Sequence, residues 1–269
     1  MSWRVIARTD MAETVRPRSV KLLLGLPVAT ILLGAYVYPV LGSDPITTAR
    51  FTGFISGWLT PIVSLVGVLL GYNAVVGKRE SGAILLSLSL PHSRSDVVFG
   101  TLVSRAGLLG GVLVGALALG AGLVVYPFGS FTPLRFTGFV LLTAAFGVVW
   151  IGLGVAASLS VATKKRAFVV AFGLFFLFTI VWDGVASALE LGLTEVGLAS
   201  GDNPAPVEFL LAVEPGRVFQ RVIDGFLNPG ASVDGAWYLS EWLALGLLAL
   251  WLVVPVGLAY HRFNGSDLS

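Results

Sequence analysis

Residues 71–100 read GYNAVVGKRESGAILLSLSLPHSRSDVVFG, a polar island between two long apolar runs. Lys78, Arg79 and Glu80 come almost directly after the apolar residues that end at Val76. The spacing predicts a short helix over 82–90, with Ile84, Leu85, Leu88 and Leu90 on one side and Ser81, Ser87 and Ser89 on the other. Pro91 ends it, because proline has no amide hydrogen to donate and disfavours helical geometry in the residue before it. Ser93 or Ser95 then caps a second helix starting near Asp96, whose carboxylate suits a helix N-terminus. The stretch reads as a short surface helix wedged between two membrane spans.

The composition requires a membrane on either side of that island. Of 269 residues, 56% are hydrophobic and 12% charged, with a mean hydropathy of +0.89. Soluble domains carry about 25% charged residues. One soluble core of this size cannot hide so much apolar surface. A span needs about 20 mostly apolar residues, and six stretches qualify: 20–41, 51–76, 106–126, 136–162, 167–189 and 237–260. No cleavable leader is read, since the first apolar run follows a charged segment and is of full spanning length. Residues 1–19, with Arg4, Arg8, Arg16 and Arg18 beside Trp3, Val5, Ile6 and Met11, read either as an interfacial amphipathic helix or as a solvated basic tail.

Six spans put both termini, the 78–105 segment and the turn Lys164-Lys165-Arg166 on one side. The other side holds only Arg50, Arg135, Arg217 and Arg221 of the 17 Lys and Arg. The positive-inside rule therefore predicts cytoplasmic termini and a cytoplasmic 78–105 segment. Outside lies the long segment 190–236, with seven acidic residues against two arginines. Val207 to Val213 and Arg217 to Leu227 are amphipathic within it, and Pro215-Gly216 separates them. Gly53/Gly57, Gly67/Gly71 and Gly111/Gly115 are four apart, so each pair shares a helix face suited to close packing.

Glu80, Gly82, the run Ile84-Leu85-Leu86, Pro91, Ser93, Arg94 and Gly100 resemble the first cytoplasmic loop of ABC-2 type transporter permeases. That loop reads roughly Glu-x-Gly-Thr, an apolar stretch, Pro-x-Ser-Arg, then Gly-Lys; here Ala83 replaces the Thr and Thr101 the Lys. The tail from Arg262-Phe263 to Asp267-Leu268 is also similar to the family. The resemblance implies an all-α polytopic membrane protein of six transmembrane helices in one permease domain. It implies an N-terminal interfacial helix, a short cytoplasmic coupling helix between spans 2 and 3, and short external helices between spans 5 and 6. Glu80, Gly82, Leu85, Leu86, Pro91, Ser93 and Arg94 would form the interface with a separate cytoplasmic ATPase, which would hold the ATP and magnesium. A second permease subunit, identical or different, is the other expected partner.

Catalytic readings fail on their residues. Gly71 to Lys78 mimics a phosphate-binding loop, but its glycines are separated by five residues rather than four, and Arg79 stands where Ser or Thr must hold magnesium. There is no cysteine, and His92 and His261 sit apart on loops, so no catalytic, cofactor or metal site is expected on this chain. No groove of interleaved basic and aromatic residues suggests nucleic acid. Asp183 is the ionisable residue nearest a span interior, where a charge costs roughly 2.5–3.5 kcal/mol. It lines a translocation path, pairs with an arginine of the outer segment, or sits where the helix is already leaving the membrane. Two functions follow: the permease of an ATP-driven exporter in a prokaryotic plasma membrane, or a non-transporting scaffold for maturing an extracytoplasmic enzyme. Some members of the family resembled serve copper-containing enzymes in the second way. The absence of Cys and of Met clusters argues against copper held by this chain itself.

Overall fold

The computed structural model describes residues 2–42, 44–80, 93–126, 129–197, 204–229, 231, 233 and 235–264, with the side chains of Ser2, Arg94, Phe263 and Asn264 excepted. Among them the chain is helical throughout, with one isolated bridge between Thr47 and Ser130. In order, the helices are α1 (Ser2–Val15), α2 (Arg18–Leu41), α3 (Thr48–Gly71), α4 (Val76–Glu80) and α5 (Arg94–Val125). There follow α6 (Pro133–Ser160), α7 (Lys164–Phe176), a π-helical turn (Leu177–Val181), α8 (Trp182–Glu195), α9 (Ala205–Ala212), α10 (Pro215–Phe226) and α11 (Glu241–Asn264). Six helices are long and apolar enough to cross a membrane, with Lys164–Glu195 counted as one. The expected helix over 82–90, and with it Gly82, Leu85, Leu86 and Pro91, lies outside the described residues.

α3 and α6 are the inner pair. Of their most apolar windows 67% and 61% is buried, against 11% for Lys164–Glu195, which leaves most of its surface to lipid or a partner. Glycine sets their separation: a Cβ at Gly71 would come within 2.7 Å of the Gly154 Cα, and one at Gly154 within 2.6 Å of the Val68 carbonyl. Small residues permit this approach, and dispersion between the backbones rewards it. The Gly111/Gly115 pair meets nothing within 4 Å. Trp150 fills the centre, fully buried and edge-on to Phe146, Phe175 and Phe178.

The helix of the third span begins at Arg94, twelve residues ahead of the predicted apolar run. Ser93 and Asp96 form a capping box there: the Ser93 side chain accepts from the Asp96 amide, and the Asp96 carboxylate accepts from the Ser93 amide. Arg105, expected near the span end, lies inside this helix, where α1 supplies the counter-charge. Asp10 of α1, 4% exposed, accepts from Arg105 Nε at 3.3 Å and pairs with Lys78 Nζ at 3.0 Å. α1 thus packs along α5, with its Trp3 carbonyl against Gly100.

Candidate functional site

The segment between spans five and six helps to wall a cavity of mixed polar and apolar lining. α10 carries Val218, Phe219, Val222 and Ile223 on one stripe, all fully buried. Phe219 stacks on Phe146 of α6 at 4.3 Å between ring centres. The opposite stripe, Arg217, Gln220, Arg221 and Asp224, follows the i, i+3, i+4, i+7 spacing of a helix face and lines a cavity of about 620 Å³. Gly57, Thr60, Pro61 and Ser64 of α3 and Phe178, Thr179 and Asp183 of span five form its other walls.

The hairpin of α9 and α10 packs against α3. At the start of α10 Gly216 packs against Thr60, and Gln220, about one turn further on, donates to Thr60 Oγ1 at 2.7 Å. Thr60 is twelve residues into α3, so the tip lies about 18 Å along that helix from its first residue. Irregular backbone at membrane depth survives only when its polar groups find protein partners. Here they do. Trp182 Nε1 donates to the Leu211 carbonyl at 3.1 Å, and Trp251 Nε1 to the Val213 carbonyl at 2.8 Å. On the α10 side, Glu214 accepts from the amides of Gly216 at 2.7 Å and Arg217 at 2.6 Å. Burial pushes the Glu214 carboxyl above its ordinary value, against the two amide bonds and the Arg217 charge that lower it. Tyr238 anchors the first turn of α9 by donating to Glu208 at 2.7 Å.

Asp183 is 83% exposed, lines the cavity and pairs with Arg217 at 2.6 Å. Of the three readings of Asp183, the contact seen is the pairing with an arginine of the 190–236 segment. The π turn just before Asp183 adds a residue to the helical turn. Trp182 and Trp251 escaped the sequence reading because nothing in their spacing links them to Leu211 and Val213.

At the other end, the side chain of Glu80 accepts the Lys164 amide at 2.7 Å, at the first residue of α7. Ser93 caps α5. Gly82, Leu85, Leu86, Pro91 and the Arg94 side chain lie outside the described residues. Among the described residues no group of three or more His, Cys, Asp and Glu is arranged to hold a metal ion.

A match to the ABC-2 family transporter protein model covers residues 4–268. The chain belongs to the ABC-2 transporter family. It is similar to a Stutzerimonas stutzeri protein named "Probable ABC transporter permease protein NosY", 30% identical over 285 residues, covering 96% of each chain. A Pseudomonas aeruginosa protein of the same name is 30% identical over 270 residues, covering 93% of this chain and 91% of its own. As an ABC-2 permease the chain is the multi-pass membrane subunit of an ABC transporter, and that role implies an ATPase partner.

Proposed function

We propose that this permease serves an exporter in a prokaryotic plasma membrane, with both termini cytoplasmic and with a separate ATPase docking on residues 78–94. The charge asymmetry carries the reading: of 17 Lys and Arg, all but Arg50, Arg135, Arg217 and Arg221 fall on the side of the termini. Two permease subunits, identical or different, work with ATPases that hold the ATP and magnesium; no catalytic step is assigned to this chain. Closure of the ATPases pushes the 78–94 segment and rocks the spans between inward-open and outward-open states. The cavity between α3, span five and α10 is the part of the path that faces outward, with Asp183 and Arg217 at its edge.

The test is purification of the tagged chain in mild detergent with mass spectrometry of what comes with it. A stoichiometric soluble subunit carrying a phosphate-binding loop, and vanadate-sensitive hydrolysis by the complex, are expected. In that complex Arg94→Glu and Pro91→Ala uncouple hydrolysis from transport while the spans stay folded. A chain that purifies without any nucleotide-binding partner, beside a control transporter that stays intact, overturns the reading in favour of a scaffold for an extracytoplasmic enzyme.

A further inference from the structure

We infer that Glu80 is a positioning residue which passes motion of the 78–94 segment to the outer cavity by way of span five, an inference that rests on the docking proposed above. α4 is held at both of its ends. The amides of Val75 and Val76, where it begins, both donate to Ser158 Oγ near the end of α6, at 3.0 and 2.9 Å. Glu80, its last residue, accepts the Lys164 amide at 2.7 Å. A helix leaves its first amides without internal partners, and a carboxylate there also meets the positive end of the helix dipole. Thr163 takes the Arg166 amide with its own side chain. The start of span five is thus held from two sides, by its own Thr163 and by Glu80 of another element.

What lies downstream makes this contact more than a cap. Lys164–Glu195 is the least buried of the six candidate spans, so it has the fewest neighbours to hold it still. It runs unbroken from Lys164 to Asp183, about 28 Å of helix at the usual rise. None of the residues in its π turn, Leu177–Val181, is buried. A π turn is where such a helix most readily changes register or direction. Phe178, Thr179 and Asp183, in and just past that turn, are the residues this span contributes to the cavity. Asp183 then ties the span to α10 through Arg217, an exposed pair that screening keeps weak enough to exchange. Displacement of Glu80 therefore moves Lys164, and the shift appears where the π turn yields, at the cavity wall.

The chain has no cysteine, so two introduced ones report cleanly. Leu134→Cys on α6 and Leu191→Cys on α8 are both exposed and accept spin labels. The distance between them is measured by pulsed electron resonance in the nanodisc-reconstituted complex with its copurifying ATPase, without nucleotide and after vanadate trapping. Glu80→Ala removes the acceptor. Lys164→Pro removes the donor amide, at a first helical position that tolerates proline, and leaves the 78–94 segment untouched. Lys164→Ala keeps the amide. In the labelled parent the distance shifts on trapping. Lys164→Pro reduces the shift by about threefold or more with ATP turnover retained, Glu80→Ala reduces it to the same extent, and Lys164→Ala keeps it. An unchanged shift in Lys164→Pro overturns the relay and leaves docking intact. Loss of ATPase binding in Glu80→Ala assigns Glu80 to the docking surface and likewise overturns it. A parent complex with no shift removes this inference together with the coupling motion proposed above.

Discussion

Asp10 is a single carboxylate between two cations, Lys78 at 3.0 Å and Arg105 at 3.3 Å, and Arg105 also donates to the carbonyl of Leu70. Removing one partner from a buried group of this kind leaves charge uncompensated, which costs about 3–5 kcal/mol. Asp10→Ala is therefore expected to lower the resistance of the folded chain to denaturation in mixed micelles by that order, read from the unfolding midpoint. In the sequence Asp10 lies among arginines, in a segment whose basic character suggests only a membrane surface. Its partners are 68 and 95 positions away, and neither spacing carries a signal. Asp183 was legible as a costly charge near a span, but its pairing with Arg217 depends on how the α9–α10 hairpin folds back.

The elements differ in how well their sequences specify them. α10 is announced by its two stripes and by Pro215-Gly216 at its start, and the structure brings its polar stripe to a cavity. Its position beside the spans is set by the two tryptophans that satisfy the last carbonyls of α9. Trp251→Phe keeps the ring and removes the donor, leaving the Val213 carbonyl without that bond at a cost of about 1–3 kcal/mol. Faster amide exchange across 205–226, with α3 and α6 unchanged, is the expected outcome by mass spectrometry. The glycine pairs separate in the same manner. Gly71→Val drives a side chain into the backbone of α6 and is expected to abolish a monodisperse peak on size exclusion, whereas Gly111→Ala keeps it. Both pairs have identical spacing in the sequence, so only the crossing of α3 with α6 distinguishes them.

For the whole molecule, the charge distribution makes the orientation testable. Single cysteines at Leu134 and Leu191 are expected to react with a membrane-impermeant maleimide in intact cells, and one at Glu13 only after the cells are opened. The reverse pattern inverts the topology and removes the basis for ATPase docking on residues 78–94. The same distribution explains why the two ends differ chemically. One gathers cations next to the turns that leave the spans, and the other gathers carboxylates around α10.

The sequence by itself determined that the chain crosses a membrane six times, that its basic residues collect at one end, and that its loops resemble an ABC-2 permease. These features follow from composition, from period and from local capping such as that of Ser93 and Asp96, which act within one element or its immediate neighbours. Only the tertiary structure decided that Glu80 caps span five, that Asp10 neutralises Arg105, and that two tryptophans hold the α9–α10 hairpin beside a cavity. Each of those joins residues distant in the chain through hydrogen bonds and charge pairs, interactions whose energy depends on distance and direction in space. Linear spacing does not encode them.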